Sequence, residues 1–152
     1  MTDLRTALTQ ITDSINTTLT SLVTSGDIEE VIIGSKKRGN LKYPHIKFIF
    51  DIAKCNNTTI GSIGNNEAWT LPVKIGATVK EIESPEDGMI EAAGLVSDAR
   101  NLLLSDRQLG IPSVVRKVDS DSIEIVPFPF GKKKTLYGAG TVLNVVFIIN
   151  NE

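Results

Sequence analysis

Leu4, Leu8, Ile11, Ile15, Leu19 and Leu22 recur at steps of three and four, the spacing that gathers apolar side chains on one stripe of an α-helix. Thr2 or Asp3 can cap its start, and Ser25-Gly26 supplies the left-handed residue at which helices commonly stop. The opposite face is rich in Thr, whose branched Cβ restricts the side chain in a helix, so the Leu/Ile stripe must be docked for the helix to persist. The period then changes to two. Glu30 to Gly34 reads as a short strand, followed by the exposed loop Ser35 to Asn40. Ile46, Phe48 and Phe50 alternate with Lys47, Ile49 and Asp51 as a second strand, and the two strands are expected to pair as a hairpin. From Lys54 to Asn66 the run KCNNTTIGSIGNN is dense in turn formers and reads as a loop, with Asn56 to Asn66 as its reach.

Trp69, Leu71, Val73, Ile75, Ala77 and Val79 alternate with Thr70, Pro72, Lys74, Gly76, Thr78 and Lys80, the clearest strand in the chain. Pro72 has no N–H and Gly76 no packing surface, so both fit an edge strand or a bulge better than a sheet centre. Ser84-Pro85-Glu86-Asp87 reads as a helix start, with Ser as cap and Pro in the first turn. Met89, Ala93, Val96, Ala99 and Leu103 form that helix's stripe, flanked by Ile90 and Leu102. Its interior Gly94 costs roughly 1 kcal/mol relative to Ala unless something packs close there.

A strand from Val114 to Val118, a hairpin turn around Asp119-Ser120-Asp121 and a strand from Ile123 to Val126 follow. A Pro-Phe-Pro-Phe-Gly stop, a triple lysine and a long strand from Thr141 to Ile149 complete the chain. This order predicts an α+β fold: a mixed or antiparallel sheet of about five to six strands with two helices packed on one face, in a single domain spanning residues 1–152.

Composition narrows the function classes. Hydrophobic residues make up 41% and charged residues 22%, which is ordinary globular usage rather than the signature of disorder. A formal net charge of -2 argues against a dedicated nucleic-acid binder, which needs a surplus of Lys and Arg. The lone Cys55 cannot form an intrachain disulfide, and a reducing compartment fits best. The polar spacing of the first residues is not that of a signal peptide. The densest apolar run, Thr141 to Ile149, has the length of a strand, so a soluble protein without membrane spans is expected.

Little in the chain points to chemistry. His45, the only histidine, follows Pro44 at the mouth of a strand and reads as a hydrogen-bonded strand-end or surface residue. Cys55 beside Lys54 reads as an incidental thiol. The carboxylate pairs Glu29-Glu30, Glu81-Glu83 and Asp119-Asp121 fall at element ends or turns. Gly138-Ala139-Gly140 lacks the following helix of a dinucleotide site and reads as a bulge or close backbone approach. The expectation is therefore no enzyme, no catalytic or metal residues and no cofactor. Two basic clusters, Lys36-Lys37-Arg38 and Lys132-Lys133-Lys134, stand out as candidate interaction loops.

From Trp69 to Ile149 the succession WTLPVKIGATV, a helix ending NLLLSDRQLG, a hairpin around VDSDS and the closing KKTLYGAGTVLNVVFI resembles the tail terminator, or tail completion, proteins of long-tailed double-stranded DNA viruses. That resemblance implies a virion structural protein, assembled in the host cytoplasm. It would form a homohexameric ring at the head-proximal end of the tail tube, stop tube polymerisation and join the tail to the neck. Its partners would be the tail tube protein and a head-completion or neck protein, with DNA passing through the lumen without specific binding. Closed rings use heterologous contacts. Trp69, Leu71, Val73, Val142, Val145 and Phe147 are then the candidate subunit edge or lumen wall. Lys36, Lys37, Arg38, Lys132, Lys133 and Lys134 are candidate ring-to-ring contacts, on loops reaching neighbouring rings together with Asn56 to Asn66. Another head-tail connector or minor tail protein is the neighbouring alternative. A small ligand-binding α+β module, with the Asn/Gly loop as a lid, is the alternative from a different class.

Overall fold

A computed structural model describes residues 3–34, 41–61, 64–80, 84–120, 126–130 and 136–150, with side-chain detail outside 56–65 and 126–130. The chain folds as α+β. Its elements in order are α1 (Leu4–Thr24), β1 (Glu30–Ile33), β2 (His45–Phe50), β3 (Lys54–Gly61), β4 (Gly64–Lys80), α2 (Pro85–Ser105), β5 (Val115–Asp119), β6 (Val126–Phe130) and β7 (Leu136–Asn150). All strands join one seven-stranded mixed sheet, and both helices pack on the same face of it.

The sheet is organised around the long antiparallel pair β4–β7, which runs from Asn66↔Asn150 to Lys80↔Leu136 without a shift in register. On the outer side of β4, β2 covers Val73 to Thr78 and β3 covers Gly64 to Thr70, so the two lie end to end as one interrupted strand. On the outer side of β7, β5 covers Asn144 to Phe147 and β6 covers Leu136 to Gly140, a second interrupted strand. Several expectations change with this arrangement. The segment 54–61 is a strand rather than a loop, because its polar residues lie on a hairpin with β4. β5 and β6 each take their own stretch of β7, and the turn through Asp121 and the strand residues Ile123 to Ile125 expected between them lie outside the described residues. Pro127 and Pro129 belong to β6 rather than ending it. β1 and β2 pair in parallel, Glu30↔His45 to Ile33↔Phe48, so the chain returns to the start of β1 before entering β2 and no hairpin forms.

Pro72 lies at the centre of the sheet, on a strand flanked on both sides, and the interruption beside it explains how. Its carbonyl accepts from Asp51 N–H at 2.9 Å, which directs the nitrogen of Pro72 to the same side, where β2 has ended at Phe50 and β3 has not begun. The missing donor falls at the gap. In β6, Pro127 and Pro129 lie two residues apart, so their nitrogens face one side; the ladder to β7 uses the other. Gly138 to Gly140 lies inside β7 without a bulge, with Gly140 opposite Gly76, where an added Cβ would make only ordinary contacts.

Burial follows the alternation. Leu71, Val73, Ile75, Ala77 and Val79 of β4 face the helices together with Leu143, Val145, Phe147 and Ile149 of β7, and all are buried. From α1 they meet Ala7, Ile11, Ile15, Leu19 and Leu22. Asp3 caps α1 by accepting from Thr6 N–H at 2.7 Å, and Gly26 (φ 85°) takes the left-handed position beyond its end. From α2 they meet Gly88, Ala92, Leu95, Val96, Ala99 and Leu103, a stripe rotated from the one read off the sequence, with Met89, Ala93 and Leu102 partly buried and Ile90 exposed. Small residues bring α2 close: a Cβ at Gly88 would lie 2.3 Å from the Tyr137 ring. At the far end, Ser14 Oγ donates to Leu109 O, tying α1 to the turn after α2.

Candidate interaction surface

Among the described residues, the same alternation that fills the core leaves the other face of the sheet without a covering layer. On β4 it presents Thr70, Pro72, Lys74, Gly76, Thr78 and Lys80; on β7, Val142, Asn144, Val146 and Ile148. Lys47 and Ile49 join from β2, Lys54 from β3, and Lys117 with Asp119 from β5. Val142 is 42% exposed, and Val146, Ile148, Ile49 and Pro72 are half-buried by their neighbours on the sheet. The surface therefore mixes apolar residues with lysines, Lys74 lying directly opposite Val142 at its middle.

Two ion-pair groups lie on this face, one beside the interruption between β2 and β3 and one at the β5 edge. Lys74 reaches Asp51 at 3.4 Å, and the Asp51 carboxyl is held below its ordinary range, chiefly by the Ile52 backbone N–H donated at 2.8 Å and then by Lys74. Ile52, in the interruption between β2 and β3, is 73% exposed. At the β5 edge Asp119 lies 2.7 Å from Lys117 and 3.6 Å from Arg107, whose guanidinium also donates to the Val118 carbonyl at 3.3 Å. These pairs are exposed, so each contributes little to stability; their effect is to fix where charge sits.

The sequence-predicted positions divide sharply on this geometry. Leu71, Val73, Val145 and Phe147 are core residues beneath the helices, and β4 and β7 are interior strands, so these four form neither a subunit edge nor a lumen wall. Trp69, opposite Phe147, packs half-buried against the core and donates from Nε1 to Glu67 Oε2 at 3.0 Å. Val142 alone of the six lies on the uncovered face. Periodicity gave the strand but not which of its two faces the helices take. Lys36, Lys37, Arg38, Lys132, Lys133 and Lys134 lie outside the described residues.

Elsewhere, His45 is buried, and its Nδ1–H donates to the Lys42 carbonyl at 2.9 Å, with the ring tilted against Tyr43. Cys55 is an exposed thiol on β3. A cleft of about 550 Å³ between α1 and the turn after α2 is lined by Asp13, Ser14, Thr17 and Asp106 among others. Its Ser14 hydroxyl is given to Leu109, and Asp106 accepts from Gln108 and Gly110 N–H at 3.0 and 2.8 Å. Among the described residues no group of three or more His, Cys, Asp or Glu side chains could hold a metal ion, and no helix is long and apolar enough to cross a membrane. Comparison of the chain with protein-family models and with curated proteins finds no match.

Proposed function

We propose that this chain is a virion structural protein: the subunit of a ring that caps the tail tube at its head-proximal end, stops tube polymerisation and joins the tail to the neck. The observation that carries the reading is the uncovered face of the β4–β7 sheet, where Val142, Val146 and Ile148 lie among lysines. A broad surface of mixed apolar and charged residues suits a protein partner better than a small molecule, which binds in a concave site. The likeness of WTLPVKIGATV, NLLLSDRQLG and KKTLYGAGTVLNVVFI to tail terminators specifies the kind of assembly.

In this reading the chain forms a homohexamer and contacts the tail tube protein on one side and a head-completion or neck protein on the other. Lys36-Lys37-Arg38 and Lys132-Lys133-Lys134 contribute to ring-to-ring contacts, and DNA passes without specific binding. The protein acts without catalysis or a cofactor. Electron microscopy of the protein alone and with polymerising tube protein tests the proposal. Rings that sit on tube ends and shorten the tubes are expected; tubes of unchanged length and uncapped ends would rule the terminator role out, leaving a connector elsewhere at the head-tail junction.

The alternative of a ligand-binding module loses its proposed lid, since 54–61 pairs with β4 as a strand. A thermal-shift screen with nucleotides and divalent metals is expected to leave the unfolding midpoint unchanged.

A further inference from the structure

The outward face of α2 is the counterpart of the uncovered sheet face. Ile90 points away from the core and is 70% exposed. One turn before it lie Glu86 and Asp87, and one turn after it Gly94, where a Cβ would find nothing within 4 Å; Glu91 and Asp98 flank this line and are also exposed. Acids in the first turn are explained by the helix dipole, but Glu91 and Asp98 lie beyond its reach. Asp87 and Glu91, four apart, repel one another within the helix. The molecule thus carries an exposed Ile90 with Glu86, Asp87 and Glu91 around it on its helical side, and on its sheet side an apolar strip with Lys47 and Lys54 near it and with Lys74 and Lys117, which are paired with Asp51 and Asp119.

We propose that these two surfaces bind each other between copies. The uncovered sheet face, centred on Val142 and carrying Lys47 and Lys74, receives the Ile90 face of α2 from the next subunit. The contact is heterologous, because the two surfaces are different and lie on opposite sides of one domain; repeated, it closes a ring or extends a filament. The choice of a second copy over nucleic acid follows from the apolar centre of the sheet face, from the placement of Trp69 and Phe147 on the other face, where no base could stack on them, and from the acidic helical side, which repels phosphate. The inference deepens the ring reading and rests on it for the existence of self-association.

A mixing experiment tests it. Ile90→Asp spoils the helix surface and leaves the sheet surface intact; Val142→Asp combined with Lys47→Glu does the reverse. Circular dichroism and thermal unfolding verify that each variant is folded. By sedimentation velocity the wild type is expected to assemble beyond a dimer, with affinity falling at least tenfold as salt rises from about 0.1 to about 1 M. Each variant alone is expected to be monomeric, and an equimolar mixture to give a heterodimer that grows no further, since only one productive pair of surfaces remains. Variants that assemble as the wild type does would overturn the contact while leaving the ring standing. A wild type that stays monomeric, alone and with tube protein, would overturn both. A mixture that stays monomeric while the wild type assembles would overturn the pairing of these two faces. Fluorescent duplex DNA that binds the wild type and not the Lys47→Glu variant, with self-association unchanged, would assign the face to nucleic acid and overturn the proposal.

Discussion

β4 and β7 present two faces made by the same backbone in the same register, and the two have nothing else in common. Towards the helices stand Leu71, Val73, Ile75, Leu143, Val145 and Phe147, with almost no contact with water; one residue along in each case stand Pro72, Lys74, Gly76, Val142, Asn144 and Val146, which no helix covers. An antiparallel sheet tolerates one wet face, so the fold alone does not require a second cover. The contrast separates, by a single residue step, the side chains that build the core from those the helices leave uncovered.

The largest test of that separation sets two neighbours against each other. Phe147→Ala should lower unfolding free energy by about 3–5 kcal/mol, because it removes a fully buried ring and leaves a cavity under α2. Val146→Ala, one position away on the uncovered face, should cost less than about 1 kcal/mol. Urea titrations of both variants measure the difference; equal losses would mean that the faces are not divided as described.

A second pair of substitutions reads the same division on a helix. Gly88→Ala places a methyl 2.3 Å from the Tyr137 ring, and moving the ring or the helix should cost about 1–3 kcal/mol. Gly94→Ala, on the outward side with nothing within reach, should instead stabilise by about 0.5–1 kcal/mol. Thermal midpoints should therefore move in opposite directions for two chemically identical changes six residues apart on α2.

The smallest effect concerns the start of α1. The Thr6 backbone N–H donated to Asp3 holds that carboxyl below its ordinary range. A depressed folded-state pKa gives a contribution that is present above the unfolded-state value, about 4, and is lost as pH falls through the folded one. Replacing Asp3 with Ser keeps a capping oxygen and removes the titration. The acid-side decline in thermal midpoint below about pH 4 should therefore be shallower in Asp3→Ser than in the wild type, with the curves converging in shape at neutral pH.

Periodicity disclosed most of the elements. The Leu/Ile spacing located α1, the Ser-Pro-Glu-Asp start located α2, and the alternation from Trp69 located the core of β4. What it missed has a common cause. Residues 54–61 are held as a strand by their backbone ladder to β4, and KCNNTTIG has no apolar alternation to betray it. Val126 to Phe130 pairs through backbone groups at positions between prolines, so the residues that usually end a strand are part of one. Pro72 signalled an edge and lies in the centre, since a gap in the neighbouring strand does for it what an edge would. For the candidate surface, the sequence placed Val142 in one group with Leu71, Val73, Val145 and Phe147 as a subunit edge or lumen wall, and the structure separates it from them, exposed where they are buried. Which half of an alternating strand faces water is decided by where α1 and α2 dock, a long-range matter that a local period does not carry.

The two prolines of β6 have one further effect. A strand whose free side offers carbonyls but lacks N–H groups at Pro127 and Pro129 cannot complete the reciprocal bonding that an incoming strand demands. Sheet continuation from one molecule into another is therefore discouraged along β6, while β5 on the same flank and β1 and β3 on the other keep their donors. One stretch of the sheet border is thus terminated by its own sequence, which opposes fibre growth through paired β6 edges.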